Sequence, residues 1–236
     1  MRKSRPDRPL RQMTSLASLL DGIARGDFPP NDMGMTHVPQ PSARDAAVLS
    51  TTGHVVVAAD VEPQWLAERY PHGQPGEAFN PPFLGALETL TGRRVNNIDL
   101  MLIAAPRSGS PGLSLSAMRD HSHPRVRRAA RYRDDVTVFT CEGGILAIGR
   151  GLAGRWEVGL EVAPAYRGKG LGRAMAEAAA HLAPDGAPMW AQVAPGNAAS
   201  LRAFLAAGYL PVGQEALLVT HPAKSPSADG PALPAA

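Results

Sequence analysis

A glycine-rich turn between an apolar strand and an alanine-rich helix is the feature that most constrains the fold of this chain. Trp156–Val162 predicts a buried strand, because apolar side chains recur at every second residue. Leu171–Leu182 predicts a helix, and the sequence between them is Ala163-Pro-Ala-Tyr-Arg-Gly-Lys-Gly170. A strand, a tight turn and a helix in this order indicate an α/β fold rather than an all-helical or all-strand one.

The turn also has the composition of a phosphate site. Glycines at 168, 170 and 172 let the backbone turn tightly and leave it uncovered by side chains. The N–H groups of the first helical turn lack intrahelical partners, and the helix dipole adds positive potential there. Arg167, Lys169 and Arg173 bring three positive charges. Residues 168–173 therefore predict a pyrophosphate cradle, with an ordinary turn and solvated charges as the alternative.

A second motif follows after the predicted strand Pro188–Val193. It runs Asn197-Ala-Ala-Ser-Leu-Arg-Ala-Phe-Leu-Ala-Ala-Gly-Tyr209 and predicts a helix over Asn197–Ala207. The two motifs together resemble the GNAT superfamily of N-acetyltransferases. Arg-Gly-Lys-Gly-Leu-Gly172 is similar to that family's R-x-x-G-x-G/A motif, and the later helix is similar to its Asn, small residue, aromatic and Gly-Tyr pattern. The clear resemblance covers residues 156–209.

The resemblance implies a transferase that moves an acetyl group from acetyl-CoA, as cosubstrate, to a primary amine, without a metal. The first motif would hold the CoA pyrophosphate, the strand before it would line the pantetheine arm, and a splay between that strand and Pro188–Val193 would admit the cofactor. The cofactor-binding residues implied in this way are Val162, Arg167, Gly168, Lys169, Gly170, Leu171, Gly172, Arg173, Asn197, Ser200 and Phe204.

The two motifs do not identify the groups that would move protons. Many family members carry a Tyr at the position of Phe204 to protonate the departing thiolate, and a phenyl ring cannot do this. An ammonium must also lose a proton before it attacks a thioester. Glu157 and Glu161 share one face of the predicted strand, because side chains alternate along a strand. They are the predicted catalytic residues, as base or in amine recognition; a salt bridge to a helix Arg is the alternative.

Four other features invite a functional interpretation. Residues 149–154 match G-x-G-x-x-G, but a dinucleotide site requires a helix next and the sequence predicts a strand, so we expect a hairpin loop. His121 and His123 predict a loop feature rather than a metal site. The arginines between 125 and 133 predict a solvated, salt-bridged face, with binding of nucleic acid or of an acidic substrate as the alternative. Cys141 lies in an apolar strand and predicts a core position.

The order of predicted elements gives the fold class and the division of the chain. We expect an α/β (α+β) fold with a mixed, mostly antiparallel twisted sheet flanked by helices. Residues 1–42 form a tail with a short helix near 14–25, 43–115 an N-terminal α/β segment, 116–221 the acetyl-CoA-binding core, and 222–236 a disordered tail. The second of these segments is expected to shape the acceptor site.

Composition bounds the remaining classes. A net charge of +3 and a pI near 9.3 do not favour a nucleic-acid partner. The single cysteine rules out an intrachain disulfide and fits the cytoplasm, and no run approaches the roughly 18 apolar residues of a membrane span. The expected partners are acetyl-CoA and an amine, and a homodimer is compatible with the sequence. A non-catalytic acyl-CoA-binding module is the alternative function.

Overall fold

The computed structural model describes residues 15–70, 73–120 and 122–220. The predicted disordered tails at 1–12 and 222–236, and His121, lie outside these ranges. The helices are α1 (Leu16–Ala24), α2 (Pro63–Arg69), α3 (Pro81–Thr91), α4 (Pro124–Tyr132), α5 (Leu171–His181) and α6 (Ala198–Ala206). The strands are β1 (Met35–Val38), β2 (Asp45–Thr51), β3 (His54–Ala58), β4 (Arg94–Ala104), β5 (Ser116–Ala117), β6 (Asp134–Cys141), β7 (Gly144–Arg150), β8 (Trp156–Val162), β9 (Met189–Val193) and β10 (Leu210–Val219).

All of these strands belong to one sheet in the order β1-β3-β2-β10-β4-β9-β8-β7-β6-β5. The pairs β1–β3 and β8–β9 are parallel, and the other neighbouring pairs are antiparallel. The predicted mixed, mostly antiparallel class is therefore confirmed. β10 pairs with β2 on one side and with β4 on the other, so the last strand inserts between two strands of the N-terminal segment.

Helices cover both faces of the sheet. On one face α5 and α6 bury a cluster that includes Met175, Phe204 and Tyr209. On the other face α1 packs its leucines against β2, β4 and Trp190 of β9. Ser15 caps α1 through a hydrogen bond from the Ser18 N–H to its Oγ at 3.3 Å. The predicted helices and strands of the core lie within a few residues of their observed bounds.

Three strands were not predicted: β1, β2 and the two-residue β5, whose length is too short for a periodic signal. β1 lies inside the stretch Phe28–Pro41, which predicts a turn-rich connector; it has no apolar run and is held at the sheet edge by parallel pairing with β3. β2 is buried along its whole length, so it lacks the apolar–polar alternation that marks a half-buried strand. β4 also begins at Arg94 instead of Ile98, because its exposed first residues carry no hydrophobic signal.

Candidate active site

The sheet opens between β8 and β9. β9 pairs with β4 over five residues and β8 pairs with β7 over seven, yet β8 and β9 meet only at Glu157 and Trp190. Beyond that point, the backbone groups of β8 that face β9 have no strand partner. Arg125 and Arg167 donate to the Leu160 and Val162 carbonyls. The remaining groups need another hydrogen-bonding partner, which a ligand or water can provide. The opening is a place where an extended ligand could lie between the two strands.

The glycine turn follows directly where β8 ends. Gly168 and Gly170 have φ angles of +72° and +86°, a left-handed conformation that L-residues with a side chain adopt only at a cost. A Cβ at either position would meet nothing within 4 Å, so the turn is open on its outer side. No side chain caps α5. The first-turn N–H groups at Leu171, Gly172 and Arg173 therefore remain free to bind an anion.

The three basic side chains of the turn are exposed and only partly engaged. Arg167 donates from Nε to the Val162 carbonyl at 3.0 Å, and Lys169 donates from Nζ to the Ala165 carbonyl at 2.9 Å. Arg173 pairs through Nε with Glu177 at 2.8 Å. Each keeps further N–H groups free, since a guanidinium carries five and an ammonium three. The turn therefore combines backbone donors with uncommitted positive charge.

A cleft of about 1100 Å³ passes through the opening of the sheet. Asn197, Ser200 and Phe204 of the second motif line it together with β8 and β9, whereas the glycine-turn residues, Val162 and Glu161 do not. Asn197 caps α6, its Oδ1 accepting a hydrogen bond from the Ser200 N–H at 3.1 Å. Phe204 is buried and packs edge-on against Tyr209, with ring centroids 4.9 Å apart.

Glu157 lines the same cleft, but both of its oxygens are occupied. Oε2 accepts from Nε of Arg133 at 3.0 Å, and Oε1 accepts from Nε of Arg155 at 2.9 Å and from the Leu152 N–H at 3.2 Å. Burial raises the pKa of Glu157, but Arg155 and Arg133 outweigh this effect and hold the pKa below its usual range. This arrangement favours a positioning role over proton abstraction.

Glu161 is exposed and lies outside the cleft lining. Its Oε2 is 3.7 Å from Nε of Arg125 on α4, which is the helix salt bridge that the sequence left open as the alternative. Arg125 also donates from Nη2 to the Leu160 carbonyl at 2.8 Å. α4 is thereby attached to β8 on the side of the sheet away from α5.

Three carboxylates and one arginine of the site were not predicted. Arg155 is buried between Glu157 and Glu215, and its Nη2 lies 2.9 and 2.7 Å from the two oxygens of Glu215. Glu215 stands directly opposite Asp99 in the β10–β4 register, and Asp45 lines the cleft from β2. The available signal was a charged residue inside an apolar strand, as with Asp99 between Ile98 and Leu100.

The G-x-G-x-x-G sequence forms a hairpin loop, as predicted, because β7 leads through a short 3-10 turn into β8 and not into a helix. A Cβ on Gly151 would overlap the Glu157 carboxylate, so this glycine permits the loop to approach that side chain. His123 caps α4, its Nδ1 accepting from the Arg125 N–H at 3.1 Å. Within the described ranges, His, Cys, Asp and Glu form no group of three that could hold a metal.

The other candidate proton donors are committed elsewhere. Tyr209 donates its hydroxyl to the Ala176 carbonyl at 3.2 Å, and burial raises its pKa. Tyr166 donates to Glu142 at 2.9 Å, and this hydrogen bond raises its pKa. Cys141 is half-buried, and burial raises the pKa of its thiol, so a thiolate is disfavoured.

The site thus combines an opened parallel strand pair, a glycine turn at a helix N-terminus without a side-chain cap, and a cleft through the sheet. Comparison with known families then gives the class. Residues 120–209 match the family described as Acetyltransferase (GNAT) family. The predicted resemblance is confirmed over those residues, and the chain carries a GNAT-family domain. The family's common chemistry is acyl transfer.

Three solved structures are distantly similar to this chain. A GCN5-related N-acetyltransferase from Kribbella flavida is 17% identical, with a TM-score of 0.38, and the match covers 58% of this chain and 63% of that one. A putative GNAT-family acetyltransferase from Novosphingobium aromaticivorans is 18% identical, with a TM-score of 0.38 and coverages of 56% and 69%. A GCN5-related N-acetyltransferase from Sphaerobacter thermophilus is 14% identical, with a TM-score of 0.37 and coverages of 67% and 65%.

The chain thus spans slightly less than two thirds of the Kribbella protein. A search of curated proteins gave no significant match. Of the helices in the described ranges, none has both the length and the apolar character needed to cross a bilayer.

Proposed function

We propose that this protein transfers an acetyl group from acetyl-CoA to the primary amine of an acceptor. The observation that carries the proposal is the position of the glycine turn at the open end of the β8–β9 splay. An extended arm lying along β8 would bring its phosphates to the N–H groups of residues 168–173, and the splay supplies backbone partners for amides along that arm.

The residues present fit such a cosubstrate. The left-handed glycines leave the outer side of the turn open, and Arg167, Lys169 and Arg173 surround it with charge. Asn197, Ser200 and Phe204 would border the thiol end, because they line the cleft beside the splayed strands. Bound acetyl-CoA would supply a thioester carbonyl for the amine to attack, so that a C–N bond forms and the C–S bond breaks.

The chain's own contribution is then to position and to manage protons. Glu157 pairs with the guanidiniums of Arg133 and Arg155, so its negative charge is held in one place at the narrow end of the splay. Glu161, exposed beside Arg125, remains our second candidate for receiving the amine proton through water. Phe204 contributes no proton, so the thiolate would leave directly into the cleft and be protonated by water.

Binding of acetyl-CoA, measured by calorimetry, tests the cofactor assignment. Gly170→Glu places a side chain and a negative charge in the proposed cradle and should weaken binding at least about a hundredfold, since several backbone donors are lost together. Gly186→Glu is the matched control: Gly186 also has a positive φ, +65°, and free space around its Cβ, but it lies in the loop before β9.

If both variants bind acetyl-CoA like the wild type, or if the wild type does not bind it, the cofactor assignment is wrong. Phe204 keeps a second function open, a binding module without turnover. Release of free thiol from acetyl-CoA in the presence of amines separates the two, because the module would bind the cosubstrate and release none.

A further inference from the structure

The half of the cleft away from α5 and α6 is lined mainly by polar and charged side chains. Glu157 and Gln192 project to this side of the sheet, since their neighbours in β8 and β9 pack against α5 and α6 on the other side. Asp99 lines the same half, and its neighbour Ile98 packs with α3. One contact joins two of its lining residues: the Tyr132 hydroxyl lies 3.5 Å from Oδ1 of Asn96. Arg44, next to the lining residue Asp45, places its Nη1 3.0 Å from Oδ1 of Asp134. A cleft of about 1100 Å³ suits a small molecule better than a protein segment.

One end of this half is acidic. Asp99 lines it from β4 and accepts a single described hydrogen bond, from Nδ2 of Asn97 at 2.8 Å. Asp45 lines it from β2 with only 3% of its side chain exposed; its Oδ2 pairs with Arg44 at 2.9 Å, whereas its Oδ1 has no hydrogen-bond partner in the described chain. A buried carboxylate oxygen without a donor is a place where a ligand ammonium would be stabilised.

The other end is basic and is formed by α4. Arg125, Arg128 and Tyr132 follow one another at helical spacing and all line the cleft. The guanidiniums of Arg125 and Arg133 converge over Gly159, where an added Cβ would lie 3.7 and 3.4 Å from them. Arg128 adds a third charge of the same sign and has no ion-pair partner among the described residues. Charges of like sign brought together in a cleft favour a bound anion.

We propose that the acceptor is a small primary amine that also carries an anionic group, a carboxylate or a phosphate. Its amine faces Asp99 and Asp45, and its anion faces Arg128 and Arg125. The inference rests on the proposed acetyl transfer and adds the class of acceptor. In the reaction the amine nitrogen forms the new C–N bond, CoA leaves as thiolate, and the amine proton passes to the acidic end or to water.

Matched pairs of amines test this assignment. Each amino acid is assayed as the free acid and as its C-terminal amide, and O-phosphoethanolamine is assayed against ethanolamine, with thiol release from acetyl-CoA as the readout. We expect at least one anionic member to exceed its uncharged counterpart by about tenfold or more in kcat/KM, because a charge-assisted hydrogen bond is lost in the counterpart. The two sets distinguish carboxylate from phosphate.

Variants locate the effect. Arg128→Gln should raise KM for the preferred anionic amine about tenfold and leave KM for acetyl-CoA unchanged. Asp99→Asn should raise KM for every amine, charged or not. Arg25→Gln is the control, since Arg25 follows α1, is 64% exposed and lies outside the cleft lining.

A panel in which the charged member never exceeds its uncharged counterpart overturns the assignment, as does an Arg128→Gln variant that keeps the preference. In either case, release of thiol from acetyl-CoA with any amine of the panel would show that the proposed acetyl transfer survives. Loss of acetyl-CoA binding itself would overturn both.

Discussion

The two ends of β8 meet opposite physical requirements. At its C-terminal end, the glycine turn is exposed, its first-turn N–H groups are unpaired and its charges are only partly engaged. At its N-terminal end, Arg155 and Glu157 are 8% and 5% exposed and are joined to Glu215 and Arg133 by short ion pairs. The unpaired N–H donors of the exposed turn and the paired charges of the buried end are therefore separated by the seven residues of β8.

This difference in solvent exposure separates the groups that can bind a ligand from those that keep the fold rigid. A polar group that water satisfies in the free protein can exchange that water for a ligand at little cost. A buried charge has no such freedom, because removing its partner leaves it desolvated and unpaired. The turn is therefore suited to bind a ligand, whereas the ion chain Glu215–Arg155–Glu157–Arg133 holds β10, β8 and the end of α4 in fixed register.

The largest expected effect is at the buried end. Arg155→Met should destabilise the protein by about 3–5 kcal/mol, because Glu215 would lose the guanidinium that contacts both of its oxygens. Arg173→Met, which removes the exposed pair with Glu177, should cost less than about 0.5 kcal/mol. Urea denaturation of both variants checks the contrast.

For acetyl-CoA binding, we expect the two variants to have the opposite order of effect. Arg173→Met should weaken acetyl-CoA binding, whereas Arg155→Met, at temperatures where it remains folded, should change it little. Equal losses of stability in the two variants would mean that the ion chain does not carry the stability assigned to it.

The next largest expected effect is on the free energy of unfolding and comes from backbone strain in the glycine turn. Gly170→Ala should destabilise the protein by about 1–2 kcal/mol, because φ is +86° and a Cβ is disfavoured there even though it meets no atom. Gly85→Ala in α3 should instead stabilise by up to about 1 kcal/mol, because this glycine is helical and has free space around it. Thermal or chemical unfolding of the pair measures the difference, and two changes of the same sign would contradict it.

The turn could be predicted from the sequence because its determinants are local. The glycine spacing, the alternation of β8 and the helical spacing of α5 all lie within residues 156–182, and each has a direct backbone consequence. The second motif was predicted for the same reason: Asn197 and Phe204 are placed by one helix. The G-x-G-x-x-G loop was distinguished from a nucleotide site by the strand that follows it.

The carboxylates that line the cleft from the N-terminal strands and from β10 could not be predicted in the same way. Asp45, Asp99 and Glu215 come from three strands that are far apart in the chain, and they meet only because β10 inserts between β2 and β4. Periodicity predicts that a strand exists, but it does not predict strand order. Glu157 shows the related limit: its strand face was predicted, whereas its two arginine partners depend on the fold of the β7–β8 loop and on where α4 ends.

The smallest expected effect concerns Asp99 of β4, a residue to which we assign both a cost in stability and a role in binding the acceptor amine. Burial, and after it the like charge of Glu157, raises the pKa of Asp99 above 3.8, although Asn97 and Arg155 oppose the shift. The folded state therefore holds this proton more tightly than the unfolded state does. The contribution of Asp99 to stability must fall as pH rises from the unfolded pKa through the folded one.

Asp99→Asn removes that dependence and can keep the hydrogen bond from Asn97 through its own Oδ1. We expect a small upward shift of the urea midpoint at pH 7.5 that shrinks toward pH 4, together with a higher KM for the acceptor amine. Asp185→Asn, at an exposed turn, is the control and should shift neither quantity. A midpoint gain that is independent of pH would mean that the negative charge of Asp99 does not destabilise the folded state. A gain in stability together with a loss of amine binding would mean that this carboxylate destabilises the fold and serves to bind the amine.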